Sequence, residues 1–193
     1  MPSREDVIVR RRTPLYAGYN RLVELLLDIP RHDRGRMEMS REVLHRHDAA
    51  CAIVHDVDRD VFVFVEQFRA AVYETGADGW HLELVAGKID EGDDPESCIR
   101  REIEEEAGYR AGGVEYIGRY YPASGVCAEV MYAFYAPVRS ADLARPETTG
   151  ADHDEDLRRV ELSRSAFLDK LARMDFLDGK ALAVSGWALK RFG

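Results

Sequence analysis

The sequence predicts an α/β protein, a mixed sheet sandwiched with helices, and three observations carry that reading. Strand-like runs fill the middle of the chain. Helical periodicity is confined to one internal segment and to the C-terminal third. The elements do not alternate regularly as strand, helix, strand, so the pattern is not that of a doubly wound parallel sheet.

Taken in order, VIVRRR (7–12) reads as a short strand and LYAGYNRLVELLLDIP (15–30) as one or two more. In the second stretch Leu22, Leu25 and Leu26 also have helical spacing, and both readings stay open. EVLHRHDAACAIVHDV (42–57) reads as strands broken at His47-Asp48, and VFVFVEQF (61–68), apolar up to Glu66, as a buried central strand. Trp80 to Val85 alternates in part and runs into Ala86-Gly87. VEYIGRYY (114–121) and VMYAFYAPV (130–138) are further strands, with the aromatics from Tyr116 to Tyr135 expected mostly in the core. A polar, acidic loop occupies about 139–157. Ala166, Leu168, Leu171 and Met174, then Ala181 to Leu189, restore helical periodicity.

The internal helix, 95–107, is the best marked element. Asp94 suits its N-cap, Pro95 its first position and Gly108 the left-handed stop. Ile99, Ile103 and Ala107 form its apolar stripe. Glu102, Glu105 and Glu106, at i, i+3 and i+4, lie within roughly 100° of its circumference. Such like charges destabilise an isolated helix by a few tenths of a kcal/mol per pair. They either make a solvated, salt-bridged face or hold something positive, and a hard divalent cation such as Mg²⁺ suits carboxylate oxygens. Arg101 is placed to orient a neighbouring carboxylate.

Composition narrows the function classes. The chain has 193 residues, 46% hydrophobic and 9% aromatic, enough for one folded core. A net charge of −9 gives no general attraction to nucleic acid or an anionic membrane, so neither is an expected partner. An anionic substrate then needs metal ions and local arginines. The RRR at 10–12 reads as a solvated strand edge. Cys51, Cys98 and Cys127 are odd in number and never closely paired, which suits a reducing cytoplasm and not a disulfide framework. His45 and His47 share a strand face but have no third ligand nearby. No signal peptide or spanning apolar run is legible, and the expected location is cytoplasmic.

The window GKIDEGDDPESCIRREIEEEAGY (87–109) closely resembles the Nudix box, G-x5-E-x7-R-E-U-x-E-E-x-G-U, where U is aliphatic or aromatic. Gly87, Arg101, Glu102, Ile103, Glu105, Glu106, Gly108 and Tyr109 fill the pattern. Asp93 stands where the pattern has its first glutamate, keeping the charge with a reach one methylene shorter. The resemblance implies a Nudix fold, an α/β/α sandwich around a mixed sheet with an N-terminal β-extension. It divides the chain into a β-region over 1–45, for dimerisation and substrate binding, and a hydrolase domain over 46–193.

Beyond the box, the chain resembles the subfamily that cleaves ADP-ribose and related nucleoside diphosphate sugars. LELVAGKIDEGD (82–93) is similar to its strand and loop into the box. Leu15-Tyr16 with Gly18-Tyr19 resembles the segment where an aromatic stacks on the base. Arg41-Glu42-Val43 and Glu66-Gln67-Phe68-Arg69 resemble the places where arginines meet phosphates. HDEDL (153–157) resembles a loop that brings a further glutamate over the metals, at Glu155.

The resemblance therefore implies hydrolysis of a pyrophosphate bond with Mg²⁺, or Mn²⁺, as cofactor. Glu102, Glu105, Glu106 and the Ala86 carbonyl would be the metal ligands. Glu155 would be a loop-borne ligand or the base that aligns water, although which glutamate is the base varies within the family. Arg41 and Arg69 would clamp phosphate and Tyr19 would stack on the base. Glu129 is a further substrate-binding candidate. ADP-ribose, giving AMP and ribose 5-phosphate, is the first expected substrate. GDP-mannose-type enzymes are the alternative, because they share CIRREIEEEAGY and the late FLDGKAL (176–182). YYPASGVCAE (120–129) departs from the ADP-ribose pattern, with Ser124 in place of the proline before Gly125. A catalytically silent nucleotide-sugar sensor is the alternative of another class. The N-terminal extension implies a homodimer in which Tyr19 and Arg41 serve the partner's site.

Overall fold

The computed structural model describes residues 3–33, 35–145 and 156–193. In chain order the strands begin with β1 (Ile8–Ala17), β2 (Arg21–Pro30), β3 (Arg36–His45), β4 (Ala49–Asp56), β5 (Val61–Phe68), β6 (Trp80–Glu83) and β7 (Val85–Lys88). They continue with β8 (Glu115–Tyr120), β9 (Cys127–Ala128), β10 (Met131–Val138) and β11 (Leu157–Ser163). The α-helices are α1 (Ala70–Tyr73), α2 (Pro95–Glu102), α3 (Arg164–Ala172), α4 (Gly179–Ala183) and α5 (Ser185–Phe192). They fall into two compact units, one ending at His47 but including Tyr121–Val130, the other holding the rest. The division thus lies two residues beyond the 1–45 expected, and the segment around Ser124 and Gly125 belongs with the N-terminal strands.

The first unit is an antiparallel meander, β1-β2-β3, to which β9 adds in parallel beside β3. β2 settles the open reading of residues 15–30 in favour of strand. It pairs with β3 along its whole length, Arg21 with His45 through Pro30 with Arg36, and with β1 on its other edge. Every residue from Leu22 to Pro30 is half-buried, so the leucines serve both faces of a central strand and their helical spacing has no structural use. Two of the arginines in RRR find acids across the sheet, Arg10 with Asp28 at 2.6 Å and Arg11 with Glu24 at 3.2 Å.

The second unit carries a seven-stranded mixed sheet ordered β11-β5-β4-β10-β8, with β6 added to β5 and β7 to β4. β10 runs parallel to β4 and the remaining pairs are antiparallel. β5 shows how the layers arise from a two-residue period. Val63 and Val65 pack with Val54, Val85, Ile99 and Ile103 on one face, and Phe62 and Phe64 with Phe167, Phe176 and Phe192 on the other. Helices therefore cover both faces, as an α/β/α sandwich requires. Among the aromatics expected in the core, Phe134 and Tyr135 are buried, but Tyr116 and Tyr121 are exposed. All three cysteines are free thiols.

Candidate active site

The site is built on one turn of chain, from the end of β7 to the helix that follows. Asp94 caps that helix, accepting from the Glu96 and Ser97 amides at 2.9 and 3.1 Å, with Pro95 at its first position. Asp93, the departure from the box, accepts its neighbour's N–H at 2.9 Å and so supports the same loop. Ile99, Ile103 and Ala107 are fully buried. The helix is α-helical only to Glu102, and Ile103–Ala107 form a wider π-helical turn. Gly108 closes it at φ +80°, with the Tyr109 N–H reaching back to the Ile103 carbonyl at 3.3 Å. A Cβ at Gly108 would meet the Arg145 carbonyl, which together with its left-handed backbone requires glycine there.

The three glutamates differ in their surroundings. Glu106 is buried, and its Oε2 accepts the Ala86 N–H at 3.2 Å, tying the helix to β7. Glu102 lies so close to the β7 backbone that a Cβ on Gly87 would overlap its carboxyl group. Arg101 reaches Glu102 at 2.8 Å and Glu105 at 3.3 Å, giving two neighbouring carboxylates a shared counter-charge. Cys98 donates its thiol to the Lys88 carbonyl at 3.3 Å, a second tie between helix and loop. Burial raises the Cys98 pKa to about 12, so it stays a neutral donor.

Among the described residues, no three acidic, histidine or cysteine side chains are grouped so as to hold a metal ion by themselves. The candidate donors, the carboxylates of Glu102, Glu105 and Glu106 and the Ala86 carbonyl, are hard oxygens of the type that suits Mg²⁺ or Mn²⁺.

The other expected residues divide between the units. Arg69, at the end of β5, forms a two-point ion pair with Glu83 of β6, at 2.7 and 2.8 Å. Its charged form is favoured first by that bond and also by the charge of Glu106. Tyr19, Arg41 and Glu129 belong to the first unit. Tyr19 stands exposed in the β1–β2 turn, and Arg41 donates to the Ser40 carbonyl at 2.7 Å. Glu129 is buried with Arg46 at 3.6 Å. Ser124 and Gly125 line a cavity of about 300 Å³ with Val43, Tyr121 and Cys127, in the first unit and without any box glutamate. Glu155 lies outside the described residues.

Sequence reasoning passed over Glu83, Lys180, Asp178 and His81. Glu83 accepts Lys180 at 2.6 Å and faces His81 at 3.0 Å, while Asp178 accepts the Leu84 N–H at 3.0 Å. The available signal was an acid inside the apolar run LELVA, since a charged residue is rarely buried unless paired.

Comparison with known proteins gives the family. The family model for the NUDIX domain matches residues 45–180. GDP-mannose pyrophosphatase of Salmonella arizonae is 33% identical over 86% of both chains. The proteins of the same description from Cronobacter sakazakii and Escherichia coli are 31% and 32% identical, over 88% and 86% of both chains. The box filled at every position but Asp93, its helix capped and anchored to β7, and this match over most of the chain have one reading: the chain belongs to the Nudix family and is a Nudix pyrophosphohydrolase.

Proposed function

We propose that this enzyme hydrolyses the pyrophosphate bond of a nucleoside diphosphate sugar with Mg²⁺, and that GDP-mannose or a close GDP-sugar ranks ahead of ADP-ribose. The observation that carries the order is the set of relatives called GDP-mannose pyrophosphatases, similar across 86% of both chains. This reverses the order expected from the sequence. Ser124 in place of the ADP-ribose proline, and the shared FLDGKAL segment, support the reversal. Cleavage of a GDP-sugar gives GMP and the sugar 1-phosphate.

The substrate's diphosphate carries charge that repels a nucleophile. Bound Mg²⁺ would neutralise it, stabilise the leaving phosphate and acidify a water. Glu102, Glu105, Glu106 and the Ala86 carbonyl would hold the ions, and Arg101 keeps Glu102 and Glu105 aimed. Glu155 serves as a further ligand or as the base that takes the water's proton. Arg69 and Arg41 hold phosphate oxygens, Tyr19 stacks on the base, and Glu129 contacts the substrate. The enzyme works as a homodimer. β1 is exposed at every residue but Thr13, and it leaves Ile8, Val9 and Leu15 uncovered, as a sheet awaiting a second copy would.

The test is phosphate release, coupled to alkaline phosphatase, from GDP-mannose, ADP-ribose, ADP-glucose and NADH, with and without Mg²⁺. We expect the highest kcat/KM on GDP-mannose and a loss of at least 100-fold, roughly 2.7 kcal/mol, in Glu106→Gln. A clear preference for ADP-ribose would restore the order read from the sequence. Binding without turnover of any of these would support a sensor.

A further inference from the structure

Glu83 is a buried carboxylate that the reaction outlined above leaves without a role. It stands at the end of β6, 2% exposed, and gathers donors from two distant parts of the chain, with a histidine alongside. Arg69 gives Nε and Nη2 at 2.7 and 2.8 Å, Lys180 gives Nζ at 2.6 Å, and His81 Nε2 lies at 3.0 Å. Burial alone would raise its pKa, but Arg69 and Lys180 outweigh that and hold it down to about 2.

Its own position is fixed from α4. Lys180 is also held by Asp178 at 3.1 Å. Asp178, itself buried, accepts the Leu84 N–H at 3.0 Å and the Lys180 and Ala181 amides at 3.0 and 3.3 Å. The Asp178–Lys180 turn therefore anchors the short interruption between β6 and β7, and Lys180 pins Glu83 from there. Two residues beyond Leu84 comes Ala86, whose N–H holds Glu106.

The consequence falls on Arg69. A guanidinium offers five N–H donors in a rigid plane, and the pair with Glu83 occupies its Nε/Nη2 edge. Among the described residues the Nη1 edge has no hydrogen-bond partner, on a side chain that is 44% exposed and feels the charge of Glu106. Rotation that would turn this edge away breaks both bonds to a buried carboxylate. We propose that Glu83 is a positioning residue that aims the Nη1 edge of Arg69 at the substrate's diphosphate. The proposal rests on the reading of the enzyme as a nucleoside diphosphate sugar hydrolase with Arg69 as a phosphate clamp.

A purely structural ion pair would be broken by the same substitutions, so the test is a double-mutant cycle of Glu83→Gln, Arg69→Ala and both together. KM and kcat are read on GDP-mannose, Kd for GDP by calorimetry, and the melting temperature for each protein. Because a clamp grips ground state and transition state alike, Glu83→Gln raises KM and the GDP Kd about 10-fold, with kcat changing much less. In the Arg69→Ala background the same change has less than about a 2-fold effect. Equal fold-effects in both backgrounds, whatever happens to the melting temperature, would overturn the proposal. Should Glu83→Gln fail to fold, the cycle is run with Glu83→Asp. That variant keeps the charge but is too short to span Nε and Nη2 while holding Lys180. If the wild-type enzyme turned over no nucleoside diphosphate sugar, the functional reading would fail, and the cycle on GDP binding would still decide the role of Glu83.

Discussion

At Gly87 the absence of a side chain does something specific. A Cβ there would overlap the carboxyl end of Glu102, the far end of a flexible side chain, so the fold absorbs the change by moving Glu102. Gly→Ala at a tolerant backbone position stabilises by about 0.4–1 kcal/mol through the unfolded chain. Gly87→Ala is therefore expected to melt at or slightly above the wild-type temperature. Its kcat/KM should fall about 10-fold or more and its Mg²⁺ requirement should rise, because the displaced Glu102 would no longer serve as the ligand proposed for it. A variant that loses stability but keeps its metal dependence would show that the close approach is only packing. Glu83 gives a residue-scale prediction about pH. Its folded pKa, about 2, lies below the ordinary glutamate value of 4.5, so its ion pairs stabilise fully above pH 4.5. That contribution is lost as pH falls from 4.5 through 2. Urea midpoints of wild type and Glu83→Gln should differ by a constant amount at pH 6–8 and converge below pH 4.5.

Among the elements, the box helix depends on its cap. Asp94→Ala leaves the Glu96 and Ser97 amides without their acceptor, and it should cost about 1 kcal/mol in urea unfolding while fraying the turn that follows Asp93. This helix was largely legible in the sequence because its signals are local: cap, proline, apolar stripe and glycine stop all stand within it. Its π-helical turn was not legible. The wider turn ends where Arg159, from β11, bonds the Ala107 carbonyl at 3.1 Å, and where the Tyr109 hydroxyl reaches buried Asp56 at 3.2 Å. Those partners lie about 50 residues away in either direction, beyond any helical periodicity. The same distinction explains β2, whose leucine spacing is indifferent between helix and strand until β1 and β3 pair with it. It also explains Arg69, readable from the resemblance as a phosphate clamp, while its partner Glu83 and the Asp178–Lys180 turn 94–97 residues on were not.

For the whole molecule, the N-terminal strands pose the open physical question. Three strands of 10 residues each make a sheet on which β1 is exposed almost throughout, with Val9 51%, Leu15 48% and Ile8 42% exposed. A second copy of the chain is the occupant that the proposed homodimer supplies, and closed two-fold symmetry lets one patch bury itself against its own image. Light scattering should then give about twice the mass of the 21.9 kDa chain. Val9→Glu, on an exposed strand position, should shift that mass towards one chain. Whether Tyr19 and Arg41 act in their own site or the partner's is decided by mixing. Tyr19→Ala retains its glutamates and lacks the stacking ring, while Glu106→Gln retains the ring and lacks the glutamate. If the ring acts across the dimer, unfolding and refolding the two variants together should regenerate roughly a quarter of wild-type sites, because a mixed dimer pairs one intact box with one intact ring. If the ring acts within its own chain, no site in any mixed dimer is whole and activity stays at the sum of the separate variants. A mass of one chain at micromolar concentration would remove the dimer and, with it, any sharing of the pocket.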